Sequence, residues 1–243
     1  MTIKHIQGLA ICLLLIIVIL RILLKGKRNV NRVILSFIIT FYVLEILKNI
    51  FLYQWYGHYN LSNLPFYLCS APLYILWGLI VFKEGTNKKI LKGIIYGVFL
   101  GSSIVPMLIP KFIIGSKDFW DFSMDNLIPM ISYLFHSLML LIPLYMILSK
   151  YYKPKYFDLI YMNIYLVVWS SIVYVVNHLL QTNFMFLNDP VKSPIAFLQQ
   201  YDGFLLFILS LGAYIIVLTT ISFFITSLYL FVIRIKRDKE NNL

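Results

Sequence analysis

A thiol, an imidazole and a carboxylate–ammonium pair stand inside otherwise apolar stretches of this chain, at Cys69, His136, Glu45 and Lys48. A cysteine can attack a carbonyl carbon when a base takes its proton, and the product is a thioester. Activation needs a cation, an imidazole or a helix N-terminus beside the sulfur. Cys69 follows Asn63 and Pro65, a capping residue and a first-turn proline, so the sequence predicts that a helix opens there. Pro72 falls inside that expected helix and frees the carbonyl of Leu68. The sulfur lies just beyond the first turn, where the helix dipole has faded, so His136 is the partner this chemistry requires. The other reading of Cys69 is an inert, small apolar side chain, and Cys12 has only that reading.

Glu45 and Lys48 are one helical turn apart and can pair. A charge at a membrane-helix centre costs roughly 2.5–3.5 kcal/mol on insertion scales. The pair therefore either stabilises itself, with Lys48 reaching outward, or it orients a headgroup or tunes His136. Asn163, Ser170 and Asn177 recur at heptad spacing, with Tyr174 and Gln181 on the same face. Such a stripe either bonds to a neighbouring helix or lines a binding site. His5 and His58 read as solvated. No C-x-x-C, Cys/His cluster, nucleotide loop or H-E-x-x-H is present, so neither a metal nor a cofactor is expected. Residues 204–233 contain no lysine, which leaves a retinal Schiff base no attachment point.

These groups must be positioned by membrane helices. The chain has 243 residues, of which 60% are hydrophobic and 13% charged, far from the balance of a water-soluble domain. Seven apolar runs stand at about 6–24, 33–53, 64–82, 93–114, 127–149, 156–180 and 204–233. Each is long enough to cross ~30 Å of hydrocarbon as a helix. The expected fold is an all-α seven-transmembrane bundle forming a single domain over residues 1–243. The first run has no small-x-small cleavage site and its positive flank follows it, unlike a signal peptide.

The net charge of +11 is explained by position rather than by nucleic acid. Arg21, Lys25, Lys27, Arg28 and Arg32 flank the first connection, and Lys83, Lys88, Lys89 and Lys92 the third. Lys150, Lys153 and Lys155 hold the fifth, and Arg234, Lys236, Arg237 and Lys239 the tail. The alternate connections hold only Lys4, Lys111, Lys117 and Lys192. This bias predicts an outside N-terminus, a cytoplasmic C-terminus and a multi-pass protein of the cell membrane. The outer connections are aromatic instead: Trp55 and Tyr56, then Phe119, Trp120 and Phe122 among Asp118, Asp121 and Asp125, then Phe184 to Leu187.

Orientation assigns depth. Glu45 falls just past the middle of helix 2, with Lys48 and Asn49 nearer the exterior. Cys69 falls one to two turns below the outer surface. His136 is about nine residues into helix 5, or ~14 Å. Asn177, His178 and Gln181 end helix 6. The polar side chains thus gather in the outer half and predict an outward-facing pocket.

At these residues the chain resembles the YwaF-like family of bacterial integral membrane proteins. Leu64-Pro65-Phe66-Tyr67-Leu68-Cys69 is similar to that family's "LPLHLC" segment, with Tyr67 where the family usually has histidine. Ser132 to Ser137, around His136, resembles its helix 5 histidine segment. Asn177 followed by Gln181-Thr182-Asn183-Phe184-Met185-Phe186-Leu187 resembles its "N…GTNYMFL" segment. That family is distantly similar to eukaryotic transmembrane acyltransferases that remodel ether phospholipids through a cysteine and a histidine. The resemblance implies Cys69 as nucleophile and His136 as base, with a membrane phospholipid or lysolipid as substrate. Asn177 and Asn183 would shape or polarise the site, and Glu45, Lys48, Tyr67 and Gln181 complete the expected substrate-binding set. The alternative is a non-enzymatic lipid or small-solute carrier using the same polar stripe without covalent chemistry.

Overall fold

The computed structural model describes residues 3–26, 29–109, 124–190 and 195–241. Every regular element among them is helical. Seven α-helices run in order: α1 (Ile3–Leu24), α2 (Val30–Tyr56), α3 (Pro72–Val81), α4 (Thr86–Leu108), α5 (Met124–Leu148), α6 (Asp158–Leu180) and α7 (Gly203–Asn241). Local chemistry sets several ends. The Asn29 side chain accepts from the Asn31 N–H at 2.9 Å and caps α2. Gly57 closes the same helix in the left-handed region, its N–H donating to the Tyr53 carbonyl at 2.8 Å.

Helix α4 is the central element and packs on α3, α5, α6 and α7. Its glycines explain the close approach. A Cβ at Gly97 would meet Met162 Sδ at 2.5 Å, and one at Gly101 would meet Leu218 Cδ2 at 2.3 Å and its Cα at 3.2 Å. Close backbone contact across small residues is how membrane helices gain packing energy, because lipid tails are as apolar as the side chains. Hydroxyls add cross-links: Tyr96 pairs with Thr226 at 3.0 Å, and Ser222 donates to the Gly97 carbonyl at 3.1 Å.

The outward surface is apolar. Leu14, Val81, Leu179 and Phe224 are among many large hydrophobic side chains left exposed, as a lipid-facing surface requires. Six helices are long and apolar enough to cross a membrane, and a shorter apolar stretch, Leu68–Val81, accompanies them.

Two sequence expectations are corrected. Helix 3 does not begin at residue 64. Leu61–Asn63 and Leu68–Ser70 are single 3-10 turns, and the α-helix starts at Pro72. Two prolines account for this. Each lacks an N–H and restricts the residue before it, and Pro72 is accommodated at the first turn of α3 rather than within it. The Leu68 carbonyl is not free but accepts from the Ala71 N–H at 3.1 Å, and the capping role expected of Asn63 belongs to Asn60, which accepts from the Ser62 N–H at 2.8 Å. Second, α4 begins at Thr86, so Lys88, Lys89 and Lys92 lie in its first two turns. Lys88 and Lys92 are buried and share Glu84, at 3.1 and 3.2 Å. Lys92 also sits 3.6 Å over the Tyr151 ring, tying this end of α4 to the end of α5. Burial alone would raise the pKa of the Glu84 carboxyl, but hydrogen bonds from the two lysines outweigh it and hold it below the ordinary range. The aromatic and acidic run at residues 115–123 lies outside the described residues.

Candidate functional site

The site is assembled by three helices whose registers can be read from side-chain contacts. Tyr42 on α2 donates to the Leu73 carbonyl on α3 at 2.9 Å. Phe37 and Phe41 on α2 face Tyr145 and Phe135 on α5, at ring separations of 6.3 and 4.6 Å. The two ring pairs run antiparallel along α2 and α5. Moving one turn up α2 from Tyr42 reaches Glu45. The same step reaches the turn Leu68–Ser70 on the α3 side and residues 131–132 on the α5 side. That turn is held against α3, α4 and α5.

Glu45 is buried and paired with Lys48 at 2.6 Å. Asn49 donates to the same Glu45 carboxylate at 3.2 Å and to the Glu45 carbonyl at 2.9 Å, leaving its own side-chain oxygen without a donor. Both Glu45 and Lys48 lie within electrostatic reach of the Cys69 sulfur, and so do Tyr67 and Tyr214. A depression of about 620 Å³ lined by Glu45, Asn49, Tyr53, Gln54 and Tyr59 runs beside the pair.

His136 is buried on α5, and its Nδ1 lies 2.7 Å from the Ser132 carbonyl oxygen. A carbonyl only accepts, so Nδ1 carries the proton and Nε2 keeps the lone pair. The bond also draws the ring toward the α5 N-terminus. No hydrogen bond joins Cys69 to His136 among the described residues, and the charged groups acting on the sulfur are Lys48 and Glu45.

Asn177 and Asn183 organise the chain after α6. Asn177 is fully buried. Its oxygen accepts from the Phe184 N–H at 2.7 Å and the Thr182 hydroxyl at 3.1 Å, while its amide donates to the Phe184 carbonyl at 3.0 Å. Asn183 binds the backbone of Asn188 and Asp189, accepting from both N–H groups at 3.1 Å and donating to the Asp189 carbonyl at 2.6 Å. Gln181 ends α6 in the left-handed region and donates to the His178 carbonyl at 2.8 Å. Met185 and Phe186 also have positive φ, 56° and 55°. These costly conformations are held by the Asn177 clamp and by the Tyr214 hydroxyl, which donates to the Met185 carbonyl at 2.9 Å. The loop thus pinned presses Phe184 against Phe66 and Tyr67, at 5.3 and 5.4 Å. Asn177 thereby sets the packing of Phe184 against Tyr67, two residues from Cys69.

Two residues on α6 escaped the sequence reading. Trp169 stacks between Tyr165, Tyr74 and Phe66, at 6.1, 5.4 and 6.4 Å. Its indole N–H and the Tyr165 hydroxyl are buried without an acceptor. The heptad stripe directed attention to Asn163 and Ser170 instead. Asn163 accepts from Thr219 on α7 at 2.9 Å, which is helix-to-helix bonding. Ser170 is fully buried, and its hydroxyl is also without a partner. Aromatic residues read as apolar from sequence, so their unpaired donors become visible only in the packed bundle. Among the described residues no group of three or more His, Cys, Asp or Glu side chains could hold a metal.

A helical bundle with six span-length apolar helices, a shorter broken third element and a partly buried ion pair defines a polytopic membrane protein. The chain belongs to the TMEM164 family, whose model matches residues 1–226. Comparison with curated proteins and with solved structures gave no match.

Proposed function

We propose that the protein transfers acyl groups between membrane phospholipids through a thioester on Cys69. The supporting observation is the Glu45–Lys48 pair within electrostatic reach of Cys69, whose turn packs on α5, the helix that carries an imidazole with its lone pair on Nε2. The resemblance to YwaF-like proteins, and through them to ether-phospholipid acyltransferases, points the same way. In the first half-reaction the bound ester draws Cys69 and His136 into hydrogen-bond reach, and Nε2 takes the thiol proton as sulfur attacks the ester carbonyl. The carbonyl–oxygen bond to glycerol breaks, and the lysolipid leaves with the proton from His136. In the second, a lysolipid hydroxyl gives its proton to Nε2, attacks the thioester carbonyl and releases the thiolate, which takes the proton back from His136. Lys48 opposes the negative charge on sulfur and on the tetrahedral oxygen. Trp169 and Tyr165 offer donors suited to an ester oxygen. The basic bias orients the bundle with its N-terminus outside and its C-terminus in the cytoplasm of a cell whose plasma membrane holds it.

The test supplies purified protein in lipid vesicles with a phospholipid labelled in one acyl chain and an unlabelled lysolipid. Label should appear in the lysolipid-derived product. Cys69→Ala should abolish the transfer, and His136→Ala should lower it by about 10²–10⁴-fold, the usual weight of a general base. Transfer unchanged in Cys69→Ala would contradict the reading and leave the non-enzymatic carrier in its place.

A further inference from the structure

Consecutive helices usually pack on one another, yet α1 rests mainly on α5 and makes little contact with α2. The space between them is a groove of about 550 Å³ closed at the back by α5. Its walls are Ile19 and Leu23 on α1, Val33 and Phe37 on α2, and Leu138 and Leu141 on α5. Ser36 and Thr40 also line it, but their hydroxyls donate to the carbonyls of Arg32 and Ser36, at 3.0 and 2.8 Å, which makes them apolar in effect. Arg32 and Asn29 stand at one end, and the groove rises eight residues to Thr40, about 12 Å at 1.5 Å per residue. That is close to one leaflet's share of a ~30 Å hydrocarbon layer. Its far end is at Thr40, one residue before the Phe41–Phe135 ring contact.

The polarity fits one kind of occupant. Arg32 is a permanent cation at the basic end of the bundle. None of the ion pairs among the described residues involves it. Arginine binds phosphate oxygens in a bidentate fork, and an acyl chain fits an apolar channel that opens sideways to lipid. We propose that the groove between α1, α2 and α5 binds an anionic phospholipid of the leaflet at the basic end. Its phosphate lies on Arg32 and one acyl chain lies along Val33, Phe37 and Leu138. This site is separate from Cys69 and stands whether or not that thiol is acylated.

The test reconstitutes full-length protein in vesicles of equimolar phosphatidylcholine and phosphatidylglycerol, then extracts it and identifies retained lipid by native mass spectrometry. Wild type should retain phosphatidylglycerol in preference to phosphatidylcholine. Arg32→Gln should reduce that preference about tenfold, the weight of one charge-assisted phosphate contact. Ser36→Trp fills the exposed side of the groove without changing charge and should expel the lipid. Lys153→Gln removes a cation from another connection and should change nothing. Thermal melting of each variant excludes misfolding. Equal retention of the two lipids by wild type would overturn the proposal. So would a preference that survives Ser36→Trp, which puts the lipid on the surface, or one lost equally in Lys153→Gln, which makes it a matter of net charge.

Discussion

Asn177 shows how a residue chosen for chemistry can carry structure. Its amide satisfies the Phe184 N–H, the Phe184 carbonyl and the Thr182 hydroxyl at once, with no exposure to solvent. Asn177→Leu would leave those groups buried and unpaired, at about 1–3 kcal/mol each. The substitution should destabilise the protein by several kcal/mol in a detergent melt, whereas Asn183→Ala, at a half-buried position, should cost about 1 kcal/mol. The Glu45–Lys48 pair admits a sharper division. Lys48→Met alone strands a buried carboxylate and should cost about 3–5 kcal/mol, while the double change Glu45→Met with Lys48→Met should restore most of that stability. If the pair serves the thiol, the double variant melts like wild type and still transfers little acyl group. If the pair only holds α2 together, it melts and works like wild type.

At the scale of elements, length and hydropathy were legible because a ~30 Å apolar layer imposes them directly. The long helices overlap their apolar runs, but α4 begins at Thr86 rather than 93 and α7 continues to Asn241 rather than stopping at 233. What sequence could not resolve was the third run. Its composition is apolar throughout, but Pro65 and Pro72 convert its first half into turns, and a hydropathy window averages over that break. The level shared by Cys69 and the Glu45–Lys48 pair follows from that break, because a continuous helix would carry the sulfur on a different path. Aromatic donors and glycine contacts were equally hidden, since both depend on which helix lies opposite. Gly101 illustrates the second. Any side chain there meets the backbone as well as the side chain of Leu218, and backbone cannot swing aside. Gly101→Val should therefore destabilise the α4–α7 contact by about 1–3 kcal/mol or more. Gly97→Ala, facing the flexible thioether of Met162, should cost less. Paired melts in one detergent decide the order.

At the scale of the whole molecule, the bundle joins two features at different heights: a buried polar level around Cys69 and a groove that opens at the basic end. Their relation to the two leaflets depends on orientation. Membrane-impermeant thiol labelling of single cysteines introduced at Gly57 and Lys153, in a chain lacking Cys12 and Cys69, should modify the first from outside intact cells and spare the second. The reverse pattern would invert the bundle. The central claim is covalent, and it is tested by mass analysis of the peptide holding Cys69 after incubation with a diacyl phospholipid and no acceptor. The expected result is an acyl adduct on Cys69 that hydroxylamine removes, as it does thioesters, and that is absent in His136→Ala. An unmodified Cys69 in a folded, lipid-loaded wild-type protein that still transfers acyl groups would contradict it.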